Sequence, residues 1–195
     1  MIRPAKMPAL DTPRLALRAA GRADVAQLFE VFSDPEAMRY WSTPPLTSIA
    51  QVETVIARAA SHFADGTGML WCVRRRDDGR AIGTISLHRF DEQNDRAEVG
   101  YILGRTAWGR GFMSEALSAV IDWAFAAMDL RRIEADTDPR NAGSIRLLER
   151  LAFKQEGLLR ERWIVDGEVC DSAMFGLLRP EWLASAGARA NVPHR

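Results

Sequence analysis

Three apolar runs, 69–75, 81–90 and 97–103, follow one another with only the turn signals Asp77-Asp78-Gly79 and 91–95 between them. Connections that short allow only strands that reverse direction, so the centre of the chain reads as an antiparallel meander. The rhythm on either side is different. A first strand is expected at 14–18, where Leu15 and Leu17 alternate with Arg14, Ala16 and Arg18. Asp24 is read as a helix cap before Val25, Leu28, Phe29 and Phe32, which recur at helical spacing. Asp34-Pro35-Glu36 starts a short helical turn, with Pro at a first helical position. Trp41-Ser42-Thr43-Pro44-Pro45 must be loop, and Ser48 caps a helix through Val52, Val55, Ile56 and Phe63 to Gly66. After the meander, a Gly-bearing loop at 104–111 feeds a helix from Ser114 to about Met128, and a strand follows at 132–137. Asp138-Pro139-Arg140-Asn141 then opens a helix to about Leu151. Two last strands, 153–165 and 170–178, meet at the hairpin signal Asp166-Gly167. This order predicts a mixed α/β (α+β) sheet with flanking helices, not a regularly alternating doubly wound fold.

With 195 residues, the chain buries enough surface to need no disulfide or metal staple, and one domain is expected. That domain is placed at 12–182, with 1–11 and 183–195 as short, partly frayed extensions. Charge balances at 26 Lys+Arg against 26 Asp+Glu, which argues against a nucleic-acid partner. Cys72 and Cys170 lack any CxxC spacing, and His62, His88 and His194 do not cluster with them, so no metal site is expected. Each histidine is read as a surface or packing residue. The N-terminus lacks the apolar core of a secretory signal, and the apolar stretch 116–130 is broken by Asp122 and Asp129. A cytoplasmic setting without membrane contact follows as the expectation, and a homodimer is left open.

The segment 97–116 carries the chemistry. It reads as a strand, a turn containing Gly109 and Gly111, and a helix N-terminus starting near Ser114. The first helical N–H groups have no internal partner and sit at the positive end of the helix dipole, which suits a phosphate. Arg105 and Arg110 would add charge. A plain strand-to-helix connection with packing glycines reads equally well from this feature alone, since neither a P-loop nor a full GxGxxG is present.

The same segment resembles the coenzyme-binding motif of the GNAT superfamily of acetyl-CoA-dependent N-acetyltransferases, Gln/Arg-x-x-Gly-x-Gly/Ala. Trp108 takes the first position, Gly111 the central one and Met113 the last, so two of three depart from the general pattern. Trp108-Gly109-Arg110-Gly111 before Ser114-Glu115-Ala116 is similar to the branch that includes ribosomal-protein N-terminal (alanine) acetyltransferases. Asn141-Ala142-Gly143-Ser144, with Leu148-Glu149-Arg150-Leu151-Ala152-Phe153, resembles that branch's Asn-x-x-Ser…Leu-Glu-x-x-Gly-Phe signature, Ala152 standing for the usual Gly. The opening strand after Thr12 and the closing hairpin before Glu181-Trp182 agree in order and spacing.

The resemblance implies a twisted, mostly antiparallel sheet whose two central parallel strands, 97–103 and 132–137, splay apart to admit acetyl-CoA as co-substrate. The cradle would be Ile102, Leu103, Trp108, Gly109, Arg110, Gly111, Phe112, Met113, Ser114 and Asn141, with the Met113 side chain pointing away from the pyrophosphate. The implied activity is N-acetylation of a primary amine, on a peptide N-terminus or a small molecule, by direct attack in a ternary complex. By analogy Ser144 assists the leaving thiolate and Asn141 steadies the pantetheine arm. Glu98 is the candidate base, direct or through water. Asn141 as a helix cap, Ser144 as a first-turn hydroxyl and Glu98 as a surface carboxylate paired with Arg96 or Arg89 are the alternatives. Residues 39–45 and 163–170 would wall the amine pocket, with Tyr40, Trp41 and Trp163 as an aromatic wall or as core. A non-catalytic acyl-CoA-binding sensor or scaffold is the rival from another class.

Overall fold

The computed structural model describes residues 1–190, and in it the meander becomes the middle of one eight-stranded sheet. Strands β1 (Leu10–Asp11) and β2 (Leu15–Ala19) come first. Helices α1 (Val25–Phe32), α2 (Pro35–Met38) and α3 (Ile49–Ala64) follow. The meander is β3 (Gly68–Arg75), β4 (Ala81–Asp91) and β5 (Arg96–Leu103). Then come α4 (Phe112–Ala127), β6 (Arg132–Thr137), α5 (Ala142–Arg150), the hairpin β7 (Lys154–Val165) and β8 (Glu168–Leu178), and α6 (Arg179–Ala190). The strand order is β1-β2-β3-β4-β5-β6-β8-β7, and β5 with β6 is the parallel pair. The mixed sheet expected from the sequence is present.

The two faces of the sheet are closed by different helices. Leu15 and Leu17 of β2, Trp71 and Val73 of β3 and Ile133 and Ala135 of β6 turn to α4, whose Leu117, Val120 and Ile121 are fully buried. Each such aliphatic side chain contributes roughly 1.5–3 kcal/mol when taken out of water. The opposite face carries a smaller core in which Leu28 and Phe32 of α1 and Val52 of α3 pack with Cys72 and Ile102. Helices α1 to α3 cover the β3–β4 side of that face and the Ile102 end of β5. Around Glu98 of β5 and Asp136 of β6 a cavity opens instead.

Local chemistry explains the departures from the expected boundaries. Asp24 stands at the N-cap position of α1 as expected, but its side chain makes no cap hydrogen bond. Its carboxylate accepts from the Gly21 N–H at 2.7 Å and pairs with Arg74 at 2.7 Å, almost wholly buried. Helix α4 starts at Phe112 rather than Ser114 because Gly111, at φ +75°, turns the chain directly into the helix. Helix α5 ends with the Phe153 N–H on the Leu148 carbonyl and the Ala152 N–H on Glu149, the pattern that puts a left-handed residue at the helix end. Ala152 occupies that position at φ +66°. Asp166 and Gly167 both have positive φ, the backbone that a two-residue hairpin turn requires.

Of the two extensions, the first adds β1, and the Ile2 N–H donates to the Met128 carbonyl. The second continues as α6, anchored by the buried Trp182, whose indole donates to Asp122. Fraying is the expectation over 183–195; helix runs on through that extension to Ala190, and 191–195 lie outside the described residues. No helix among the described residues is long and apolar enough to cross a membrane.

Candidate active site

Strands β5 and β6 pair in parallel only from Arg96 with Arg132 to Val99 with Ala135. Beyond those four pairs β5 runs on to Leu103 and β6 to Thr137 without a shared ladder. The gap opens at the centre of the sheet, with different chemistry on each side of it.

On the α4 side lies the glycine turn. Gly109 and Gly111 have φ of +70° and +75°, and space is open around Gly109, so it is the backbone angle that demands glycine there. The N–H groups of Phe112, Met113 and Ser114 open α4 without intrahelical acceptors, while Glu115 N–H is the first to bond back, to Gly111 O at 3.1 Å. Glu115 is held by Thr12 and by Arg14, whose guanidinium also donates to the Arg110 carbonyl at 2.9 Å and stacks on Phe112. The turn is thus clamped to the connection between β1 and β2. Arg110 stacks on the other available ring contact of Phe112, with no carboxylate paired to it among the described residues. Arg105, the second expected cation, is instead tied to Asp34. Met113 is 7% exposed and sits in the core, so its bulk does point away from the turn. Trp108 is 48% exposed, its indole donating to the Leu103 carbonyl at 2.6 Å. That contact occupies one of the two strand positions expected to meet the pantetheine arm.

Helix α5 brings Asn141 and Ser144 to the same side. Asn141 caps the helix, its side-chain oxygen accepting from Ser144 N–H at 3.0 Å. The Ser144 hydroxyl makes a 2.6 Å hydrogen bond with the phenol of Tyr101 on β5. Burial pushes the Tyr101 phenol up to about 12, against the opposing influence of that hydrogen bond. The Tyr101 side chain is not among the site residues expected from the sequence. The signal for its side chain was its phase: Tyr101 alternates with Gly100 and Ile102 and so faces the helix side with Val99 and Leu103.

Glu98 faces the other way, into a cavity of about 450 Å³ on the open part of the sheet. It is 8% exposed. Arg89 donates to one carboxylate oxygen at 2.9 Å, and the other lies 3.2 Å from His88 Nε2. Burial alone would raise the carboxyl, but His88 and Arg89 outweigh it and hold it below the usual carboxylate range. Arg96, the other partner considered, pairs with Asp91 and Glu134. Tyr40, Trp41 and Trp163 all line the cavity, with Cys170 and the α3 residues Arg58 and His62. Trp163 is fixed by its indole on Asp136 at 3.2 Å. Ser86 and His88 on β4 complete the floor, and neither was singled out from sequence. Their recognition needs the cross-strand register, His88 opposite Glu98 and Ser86 opposite Gly100.

Comparison with known proteins agrees with this geometry. An acetyltransferase (GNAT) domain family matches residues 14–154. The uncharacterized N-acetyltransferase p20 of Bacillus licheniformis is 38% identical over 90% of this chain and 99% of its own length. Among solved structures, Mycobacterium smegmatis RimJ in complex with CoA-disulfide superposes with a TM-score of 0.83 at 20% identity, over 95% of this chain and 98% of that one. Spermidine N-acetyltransferase from Vibrio cholerae, in complex with CoA and spermine, gives 0.77 at 23% identity, over 88% and 99% of the two chains.

Proposed function

The chain belongs to the GNAT acetyltransferase family, and from that premise we propose that it moves the acetyl group of acetyl-CoA to a primary amine by direct attack in a ternary complex. The observation that carries the reading is the junction at Val99 and Ala135. There the parallel ladder ends, a glycine turn and helix N-terminus lie to one side, and the cavity lies to the other. Of two solved structures with this fold, one holds CoA-disulfide and the other CoA with spermine, which supports a coenzyme and an amine as the two substrates.

In this reading the Phe112, Met113 and Ser114 amides and Arg110 receive the coenzyme's phosphates, since free N–H groups at a dipole's positive end meet negative charge without reorganisation. Gly109 and Gly111 keep that approach open. The backbone of Ile102 and Leu103 and the Asn141 side-chain amide line the arm's path, and Trp108 must release or share the Leu103 carbonyl. The amine enters from the cavity and must be neutral to attack, which gives the Glu98 side of the gap its role in removing a proton. The thiolate departs towards the α5 side, where the Ser144 hydroxyl, backed by Tyr101, donates to the sulfur. Proton removal and proton delivery are thus assigned to opposite faces of one sheet.

Acetyl-CoA at a hundredfold excess over its Kd should stabilise the fold by roughly 2.7 kcal/mol. A panel of peptide N-termini and small amines, read by free thiol release, tests turnover. An unchanged melting curve at millimolar coenzyme would overturn the reading, and stabilisation with no amine turned over would make the protein an acyl-CoA-binding module.

A further inference from the structure

We infer that His88 is the base that collects the acceptor's proton and that Glu98 acts through it; this rests on the acetyltransferase reading above. Both oxygens of Glu98 are engaged, one by the Arg89 guanidinium and one at His88 Nε2. For Glu98 to take a proton from substrate, its contacts with Arg89 or His88, which hold both oxygens, would have to give way. His88 has no such obstacle. Its side chain is 35% exposed on the cavity floor; Nε2 lies on Glu98, and Nδ1 has only a 3.4 Å contact with the Ser86 hydroxyl, which also reaches the Gly100 carbonyl.

The rest of the arrangement is built around that ring. His88 and Glu98 stand directly opposite each other on β4 and β5, so the sheet itself fixes their distance. Ser86, two residues along on the same face, places its hydroxyl 3.4 Å from His88 Nδ1. The residue between them and the gap is Gly100, where an added Cβ would come within 3.1 Å of Ser86 Oγ and 3.4 Å of His88 Cε1. Glycine here leaves the imidazole room beside the last ladder pair, Val99 with Ala135. The charged groups sharing the cavity are Arg89 on the same strand, Glu98 on β5, Asp136 on β6, Arg58 and His62 on α3, Asp171 and Glu168 on β8, Arg39 just after α2 and Asp138 just after β6, the Glu168 and Asp138 carboxylates being paired with Arg140. Asp136 already accepts from Trp163 and Ser172, and Asp171 from the Glu161 N–H.

Neutral His88 carries its proton on Nε2 and donates it to Glu98, which leaves the Nδ1 lone pair facing Ser86 and the cavity. As the amine nitrogen forms its bond to the acyl carbon and the C–S bond breaks, the thiolate leaves with the electron pair. The N–H proton of the amine passes to Nδ1. The imidazolium so formed lies against the Glu98 carboxylate, whose charge stabilises it. Glu98 is therefore a positioning residue and His88 the catalytic one.

Two measurements test this. The first is the pH profile of kcat/KM for an accepted amine in the parent, His88→Gln and Glu98→Gln proteins. His88→Gln should lower kcat/KM by roughly 10²- to 10⁴-fold and remove the single-proton acid limb, with the acetyl-CoA Kd unchanged. Glu98→Gln should keep the limb and lower kcat/KM by a smaller factor than His88→Gln, because the imidazolium formed in the step loses its counter-charge. A His88→Gln enzyme that retains the limb, with Glu98→Gln abolishing it, overturns the inference and returns the base to Glu98. The second measurement needs no turnover: nitrogen NMR of the histidine-labelled parent, assigned by His88→Gln. A neutral His88 protonated at Nε2 supports the inference, and one protonated at Nδ1 overturns it. Failure of the acetyltransferase reading would show separately, as a parent that neither binds acetyl-CoA nor releases thiol.

Discussion

Replacing Ser144 by alanine should do two separable things, because its hydroxyl is the partner of a buried phenol. The 2.6 Å bond to Tyr101 is the only one given to that phenol among the described residues. Ser144→Ala therefore leaves a buried hydroxyl without a partner, at a cost of about 1–3 kcal/mol. Tyr101→Phe removes the phenol instead. Ser144 is half-buried at a helix start and regains water, so the loss is about 0.5–1.5 kcal/mol, the net value of one hydrogen bond. The double variant removes both members and should cost clearly less than the two singles added, with a coupling of about 1 kcal/mol. In a domain of this size that is about 2–4 °C in Tm. Turnover per folded molecule should behave differently. Ser144→Ala loses proton delivery to the thiolate, and the fall should lie near the low end of the roughly 10²- to 10⁴-fold range for a general acid. The reason is that an ordinary thiol, with a pKa of about 8.5, leaves without much help. The double variant should regain stability but not rate. Urea or thermal melts of the four proteins, beside thiol-release kinetics with an accepted amine, measure both quantities. Strictly additive stability losses would refute the shared bond, and parental turnover in Ser144→Ala would remove Ser144 from the mechanism.

Other substitutions address single features. Gly111→Val should weaken acetyl-CoA binding more than the fold, because a β-branched residue at φ +75° both strains the turn and crowds the amides; equal Kd values in the folded variant and parent would move the cradle elsewhere. Met113→Ala should cost about 2–5 kcal/mol as a core truncation, with the acetyl-CoA Kd unmoved by calorimetry. Ala152→Gly should raise Tm by about 2–4 °C, since relief of about 1–2 kcal/mol of left-handed strain exceeds the about 0.4–1 kcal/mol that glycine adds to unfolded-chain freedom; a lowered Tm would contradict it. Burial pushes the Asp24 carboxyl up, but the Arg74 guanidinium and the Gly21 N–H hold it below its ordinary value. Its stabilisation is therefore fully present above about pH 4 and lost as pH falls through the depressed folded-state value. Asp24→Asn should cost about 3 kcal/mol at pH 7 and flatten the acid side of a Tm-against-pH curve, and an unaltered curve would assign the acid sensitivity to other carboxylates.

How far the sequence reached depends on whether a feature is local. Alternation of Leu15 with Leu17, the Asp166-Gly167 turn and the Asn141 cap are each set by neighbours a few residues away, and each reads directly from the chain. Asp24 misleads for the opposite reason. Its local context is a good cap, but a guanidinium fifty positions later claims it, and burial makes the ion pair the stronger demand. The helix start slipped from Ser114 to Phe112 because a left-handed Gly111 is a choice of backbone angle, invisible to periodicity. Around the site, the glycine turn and Ser144 were legible as motif and chemistry. His88, Ser86 and the Tyr101 side chain were not, since what distinguishes them is the register between strands. That register is adjusted by an irregularity between His88 and Asp91 on β4, which no turn rule supplies.

The early end of the β5–β6 ladder has a further consequence, in the rates at which backbone protons leave. Peptide groups of 100–103 on the side of the gap, and of 136–137 opposite, have no strand partner, although they lie in the middle of the sheet rather than at its rim. Amides there should exchange with solvent deuterium far faster than those of Ile85 or Leu87, which sit on a strand laddered on both sides. A substrate arm that supplies acceptors and donors to the gap would complete the ladder chemically. The protection it confers should therefore be confined to those few residues, a signature of a sheet finished by its ligand.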